Sequence, residues 1–123
     1  MSEKADPPTD VRVCLVTSPP DRAADLAREL VKLGLAACVN VIGNVTSVYR
    51  WQGKIHEDGE SLLVIKTSAA RVEKLEAAVL KLHPYDVPEF LVLDVASGAA
   101  GYLGWVLDVT AQPEAGSAGS GAE

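Results

Sequence analysis

The segment HPYDVPE, residues 83–89, concentrates polar side chains between the end of a predicted helix and the start of a predicted strand. Loops at such junctions often hold binding sites because the scaffold fixes both of their ends. Its two prolines stiffen the backbone and would preorganise His83, Tyr85 and Glu89. Imidazole and carboxylate groups bind metals, so His83 with Glu89, or with the thiol of Cys14, is a candidate metal site. The alternative, which spacing alone favours, is that His83 caps the carbonyls at a helix C-terminus.

Two further groups of residues could hold a small ligand. Glu60 and Lys66 stand six residues apart in one apolar strand, and an even spacing places them on the same face. An ion pair at a subunit interface is the alternative for this pair. Tyr49 and Trp51 end the preceding strand, where they could stack on a ligand or pack against a neighbouring subunit.

Catalysis is not expected. A hydrolase needs an activated nucleophile, a base within reach and an oxyanion hole. Thr17, Ser18 and Ser68 occur in turn or cap contexts, and the sequence contains no G-x-S-x-G, P-loop or G-x-G-x-x-G motif. We therefore interpret the candidate residues as a binding site, and not as an active site.

Helical and extended patterns alternate along the chain, with two long extended stretches in the middle. Helices between strands, together with a central hairpin, predict an α+β fold: a ferredoxin-like βαββαβ sandwich with a long central hairpin and a short C-terminal helix. In order, the predicted elements are strand 11–17, helix 21–33, extended stretches 35–51 and 54–67, helix 69–82, strand 90–96 and helix 99–109.

Local residue choices support these boundaries. Pro19 ends the first strand, and Gly34 stands where a glycine commonly terminates a helix. The pair Gln52-Gly53 predicts a tight hairpin turn, since glycine supplies the positive φ. Gly43 predicts a β-bulge, and Ser68 is the expected cap of the second long helix.

Composition and charge restrict the class of protein. The chain has 123 residues and a formal net charge of −6, with its Lys and Arg residues scattered singly, which disfavours nucleic acid and anionic membranes as partners. No membrane span or secretory signal is apparent, so the cytoplasm is the expected compartment. Most of the acidity belongs to residues 1–10 and 111–123, which we expect to be a flexible N-terminus and a disordered tail around one domain, 11–110.

The order of the elements and the apolar character of the strands predict self-association. Right-handed crossovers place both long helices on one face of the sheet and leave the other face without a cover from this chain. The strands are nevertheless apolar on both sides, as in ESLLVIKT and FLVLDVA, which is typical of strands buried on two faces. The hairpin arms would span roughly 45 Å and overhang the monomer. Another copy of the chain is the simplest cover, and we expect a ring-like homo-oligomer.

Several strings in the sequence resemble the CutA family, which is named for divalent cation tolerance. LAACVN, YRWQGK and HPYDVPE are specific in combination, and the similarity runs from Val11 to Leu107. The resemblance implies a cytoplasmic trimer of ferredoxin-like subunits whose hairpins clasp their neighbours, without an established catalytic activity. It also implies tolerance of copper and other divalent cations. The architecture is similar to that of the PII signalling trimers, which bind small molecules between subunits.

The residues that the resemblance carries over are few. In some members a cysteine just before the Thr of the first strand and one or two histidines at the HPY motif hold copper. Here Val16 precedes Thr17, and Leu82 precedes His83, so that only His83 remains from that set. The resemblance thus implies weak binding of copper or another divalent cation by His83, with Glu89, Cys14 or a partner subunit.

A second hypothesis also rests on the resemblance. A PII-like sensor would bind a small anionic molecule in a cleft between subunits. Lys66 and Arg50 would supply positive charge, Tyr49 or Trp51 would stack on the ligand, and Tyr85 would contact it.

Overall fold

The computed structural model describes residues 9–111 and follows the predicted order of elements. The predicted flexible N-terminus and disordered tail lie outside the described residues, except for positions 9, 10 and 111. The elements are β1 (Val11–Ser18), α1 (Pro20–Lys32), β2 (Cys38–Trp51), β3 (Lys54–Ser68), a 3-10 turn (Ala69–Arg71), α2 (Val72–Leu82), β4 (Leu91–Asp94) and α3 (Ala100–Val109). The α+β, ferredoxin-like prediction is confirmed.

The four strands form one antiparallel sheet in the order β2-β3-β1-β4. Successive side chains of a strand point to opposite faces, so each strand contributes alternate residues to the core. One face of the sheet packs against α1 and α2, and burial of apolar side chains in this layer is the main source of stability. The core comprises Cys14, Val16, Ala23, Leu26, Ala27, Leu30, Leu35, Ala36, Leu63, Ile65, Leu75 and Val79.

The helix ends follow the predicted signals with one difference. Pro20 occupies the first turn of α1, where its missing N–H costs nothing, and Gly34 follows the helix with a φ of 75°. The second helical segment begins with a 3-10 turn at Ala69 and becomes an α-helix at Val72. Ser68 occupies the cap position with extended backbone, but its side chain makes no capping hydrogen bond.

The hairpin of β2 and β3 turns at Gln52 and Gly53, whose φ angles are 52° and 80°. Positive φ at both central residues matches the right-handed twist of the two strands. The predicted bulge lies between Ile42 and Val45, where the register shifts. Asn44, and not Gly43, takes the positive φ of 60° there, a conformation that asparagine tolerates better than most residues.

The face of the sheet opposite α1 and α2 is only partly covered. Leu91 and Leu93 of β4 and Ile42 of β2 are 52%, 45% and 46% exposed. The prediction that this face has no cover from the same chain needs a correction. Helix α3 contacts β1 and β3, and its Tyr102 lies near Cys38, which is opposite Lys66 on the uncovered face. The short helix therefore covers one end of the face, near the start of β1, and leaves the apolar remainder open.

Candidate functional site

A cleft of about 610 Å³ lies beyond the end of β1, between the hairpin and the HPYDVPE segment. We call it the acidic cleft, because four of its side chains are carboxylates and none is Lys or Arg. Volumes of this size are typical of sites for small molecules. The lining residues are Thr17, Ser47, Val48, Tyr49, Trp51, Asp58, Glu60, Tyr85, Asp86, Val87 and Glu89.

The hairpin register sets one wall of the acidic cleft. Tyr49 lies opposite His56, and Ser47 lies opposite Asp58, so these side chains share one face of the two strands. The Tyr49 ring stacks on His56 with 5.4 Å between centroids. Its hydroxyl donates a hydrogen bond to Asp58, and this bond to a carboxylate raises the pKa of Tyr49. The phenol therefore stays protonated and remains a donor.

Tyr85 and Glu60 connect the opposite wall to the hairpin. The Tyr85 hydroxyl donates to Glu60 Oε2 over 2.9 Å. Glu60 is 6% exposed, although it is an acid near the base of a long hairpin. Desolvation of the phenol, reinforced by the bond to Glu60, raises the pKa of Tyr85 to about 12, although the ring is partly exposed. At neutral pH the phenol is thus a fixed donor to a buried carboxylate.

His83 is buried, and both nitrogens of its ring have backbone partners. Nε2 lies 2.7 Å from the carbonyl oxygen of Thr17, and Nδ1 accepts the backbone N–H of Tyr85 over 3.1 Å. Because a carbonyl can only accept, Nε2 carries the proton and the imidazole is neutral. The side chain therefore ties the HPYDVPE segment to β1 and does not cap α2. A metal ion would have to displace one of these bonds.

The other two predicted metal ligands point to different environments. Cys14 is fully buried in the core under the helices, and this burial raises the pKa of its thiol to about 11. A protonated core thiol is a poor metal ligand, since metals bind the thiolate. Glu89 lies in the acidic cleft, with Oε1 3.5 Å from the Thr17 hydroxyl. Within residues 9–111, no three His, Cys, Asp or Glu side chains are grouped so that they could hold a metal ion.

The predicted ligand-binding residues divide in a similar way. Tyr49, Trp51 and Tyr85 all line the acidic cleft. Lys66 does not, since it lies opposite Val13 and donates a hydrogen bond to Asn40. Six residues of strand separate Lys66 from Glu60 by roughly 20 Å, although they share a face. Arg50 is exposed and alternates with Tyr49 and Trp51, so it belongs to the opposite face of β2.

Asp58 is the one carboxylate of the lining that lies outside the strands and segments singled out from the sequence as candidate sites. It stands two residues before Glu60 and opposite Ser47, so it shares the face that carries Glu60. The signal was available, because pairing counted outward from the Gln52-Gly53 turn places Asp58 on that face.

The sequence matches one protein family over most of its length. Residues 12–109 match the family described as CutA1 divalent ion tolerance protein. The chain belongs to this family. The divalent-cation tolerance protein CutA of Thermus thermophilus is 46% identical over 99 residues, which are 80% of this chain and 96% of the relative. Protein CutA of Mus musculus is 45% identical over 104 residues, which are 84% of this chain but 59% of the mouse protein.

Solved structures of the family have the same fold. CutA from Xylella fastidiosa superposes with a TM-score of 0.81 at 38% identity, over 83% of this chain and 99% of that one. The PII-like protein CutA from Nostoc sp. PCC 7120, in apo form, gives a TM-score of 0.78 at 34% identity, over 80% and 96% of the two chains. The resemblance to the CutA family and the PII-like architecture are thus confirmed.

The comparisons do not decide the compartment. One relative, from Arabidopsis thaliana, is named chloroplastic, and the structure from Archaeoglobus fulgidus is titled periplasmic. Among the described residues of this chain, the helices are too short or too polar to span a bilayer. Residence in the cytoplasm stays a prediction.

Proposed function

We propose that this chain is a homotrimeric, non-catalytic cytoplasmic protein that binds divalent cations in the acidic cleft. The observation that carries the proposal is that Asp58, Glu60, Asp86 and Glu89 line one cleft without Lys or Arg among its lining residues. Carboxylates gathered without a basic partner create a negative potential that attracts cations. The family's name, divalent ion tolerance, supports the same ligand class.

The donor atoms favour weak binding completed from outside the chain. The cleft offers carboxylate and hydroxyl oxygens, whereas the Cys14 thiol is buried in the core and the His83 nitrogens bind backbone groups. A single chain supplies no group of three ligands within residues 9–111. Water or a partner subunit would provide the remaining ligands. Among divalent first-row ions, Cu²⁺ generally binds a given set of ligands most tightly.

Trimer formation is supported by the apolar face that α3 leaves open. Leu91, Leu93 and Ile42 form an exposed apolar surface on the sheet, and monomers rarely leave such a surface in contact with water. A trimer should elute with three times the chain mass of 12.9 kDa, and light scattering after size-exclusion chromatography measures this directly. A stable monomer at micromolar concentration would contradict the proposal.

Calorimetric titration of the tag-free full chain with Cu²⁺ and Mn²⁺ tests cation binding. We expect Glu89→Gln to weaken binding, whereas Glu57→Gln should not, because Glu57 is exposed on the opposite face of β3. His83→Ala tests the role of the histidine: unchanged copper binding would exclude it as the ligand that the family resemblance implies. Absence of binding by the parent chain up to millimolar metal would overturn the proposed function.

A PII-like sensor of a small anion is the second candidate, favoured by the similarity to the PII-like protein CutA of Nostoc. The charge of the acidic cleft opposes it within one chain, because Lys66 and Arg50 are not among the lining residues. Thermal shift measurements distinguish the two candidates. Stabilisation by ATP or a dicarboxylate, together with indifference to divalent cations, would favour the sensor.

A further inference from the structure

We infer that the acidic cleft also binds a small organic cation, a molecule that carries ammonium groups on a short apolar body. This inference goes beyond metal binding and stands without it, because it rests on aromatic rings, which a metal ion does not require, beside a largely buried carboxylate that forms no salt bridge within residues 9–111.

Glu60 is the most buried carboxylate of the cleft. Its side chain is 94% removed from solvent, yet it forms no salt bridge within residues 9–111, where the ion pairs are Arg12–Asp94 and Arg28–Asp25. The structure gives it one hydrogen bond, from the Tyr85 hydroxyl to Oε2. Within residues 9–111 Oε1 has no hydrogen-bond donor, and because no buried side-chain oxygen there lacks a partner, Oε1 is open to the cleft. A carboxylate that is mostly enclosed and has no cationic partner attracts a positive group, which a ligand in the cleft would supply.

Three aromatic side chains line the cleft beside the carboxylates. Tyr49, Trp51 and Tyr85 all line the cleft and are each about two-fifths exposed, at 41%, 46% and 40%. Both tyrosine hydroxyls already donate to carboxylates, to Asp58 and Glu60 respectively. His56 covers one face of the Tyr49 ring and His83 lies against the Tyr85 ring, so the ring surface that stays exposed is what a ligand can contact. Aromatic faces attract ammonium groups and pack against methylene groups, and carboxylates nearby add to that attraction.

The volume of the cleft favours an organic molecule over a single metal ion. A bare or hydrated metal ion occupies a small part of about 610 Å³, since one water takes up roughly 30 Å³ in the liquid. An organic molecule of six to ten non-hydrogen atoms fits with room for bridging water. Anions and neutral molecules fit the volume equally well, but only a cation compensates Glu60, Asp58 and Glu89.

Titration of the full chain with 1,5-diaminopentane tests the inference, at neutral pH and physiological ionic strength. Heat and the fluorescence of Trp51 report binding, with Trp51→Leu identifying the signal against Trp105. Pentane-1,5-diol and glutarate have the same carbon chain with neutral or negative ends. We expect saturable binding of the diamine alone. Glu60→Gln should weaken it at least about tenfold, because a hydrogen bond to a charged partner is lost while the acceptor for Tyr85 is kept.

Glu57→Gln is the matched control, since it makes the same change of charge on the same strand but on the opposite face. Equal weakening by Glu57→Gln and Glu60→Gln would reduce the effect to net charge and overturn the inference. Binding of glutarate or the diol as tightly as the diamine would also overturn the inference. A failure of the diamine to bind would overturn it too, whether the cleft is empty or filled by a second copy of the chain. Mn²⁺ binding without diamine binding defeats this inference alone, and diamine binding without any metal binding defeats the proposed function alone.

Discussion

The hydroxyl of Tyr85 donates to Glu60 across 25 residues of sequence and joins the HPYDVPE segment to the central hairpin. His83 ties the same segment to β1 through the carbonyl oxygen of Thr17. These two contacts hold the walls of the acidic cleft together. The position of the cleft therefore depends on side chains that take no part in the core.

Tyr85→Phe tests the first of these contacts. The change removes one hydrogen bond to a carboxylate and leaves Glu60 buried without a donor, so the free energy of unfolding should fall by about 1 kcal/mol. Urea denaturation at fixed protein concentration measures the loss, because the stability of an oligomer depends on concentration. Glu60→Gln keeps an acceptor for Tyr85 and should cost less. An unchanged midpoint for Tyr85→Phe would show that the bond does not form in solution.

Much of the fold could be predicted from the sequence because the long elements have clear periods. The helix 21–33 was predicted within one residue at each end, since Pro20 and Gly34 mark its limits. The final strand was predicted as 90–96 but pairs only over Leu91–Asp94. The pattern of apolar residues predicts an extended segment, but it does not show over which residues β4 is paired with β1.

The residues of the candidate site could be predicted individually, but their distances from one another could not. The even spacing of Glu60 and Lys66 correctly places them on one face of the strand. It does not show that only Glu60 reaches the cleft. The partner of Glu60 is Tyr85, from a segment whose path depends on the tertiary fold. The placement of Tyr49, Trp51 and Tyr85 in one cleft likewise needs the three-dimensional arrangement of the hairpin against the HPYDVPE segment.

Gly53→Ala tests the hairpin turn. Gly53 has a φ of 80°, and an added Cβ would meet no atom within 4 Å, so strain in the backbone is the only expected cost. We expect a loss of about 1 kcal/mol, visible as a lower thermal midpoint. Gln52→Asn should raise the midpoint slightly, since asparagine accepts positive φ more readily than glutamine. Equal midpoints for all three chains would contradict this account of the turn.

Leu93→Glu tests whether the open face of the sheet is an interface. Leu93 is 45% exposed in the single chain, and a charge there would have to be desolvated when a second copy packs on it. We expect light scattering to show a shift from trimer toward monomer. Leu33→Glu is the matched control, because Leu33 is 50% exposed just after α1, away from this face. Dissociation by both variants, or by neither, would place the interface elsewhere.

The buried thiol of Cys14 predicts a loss of stability in alkali. Burial raises its pKa from the ordinary 9.0 to about 11. Below pH 9 the thiol is protonated in both states, so its contribution is fully present. Between pH 9 and 11 the unfolded chain releases the proton more readily, so the free energy of unfolding falls as pH rises, by about 3 kcal/mol in all.

Cys14→Ala identifies this contribution in urea denaturation between pH 8 and 10, because tyrosines such as Tyr85, which ionise first in the unfolded chain, contribute equally to the parent and to the variant. The substitution lowers stability at every pH by removing a core sulfur, so the slope against pH carries the result, and not the absolute value. We expect a flatter slope for Cys14→Ala and the parental slope for Cys38→Ala, because Cys38 lies outside the core cluster. A parental slope in Cys14→Ala would mean that the thiol is accessible to water, and alkylation by iodoacetamide at pH 8 would then modify Cys14 as quickly in the folded as in the unfolded chain.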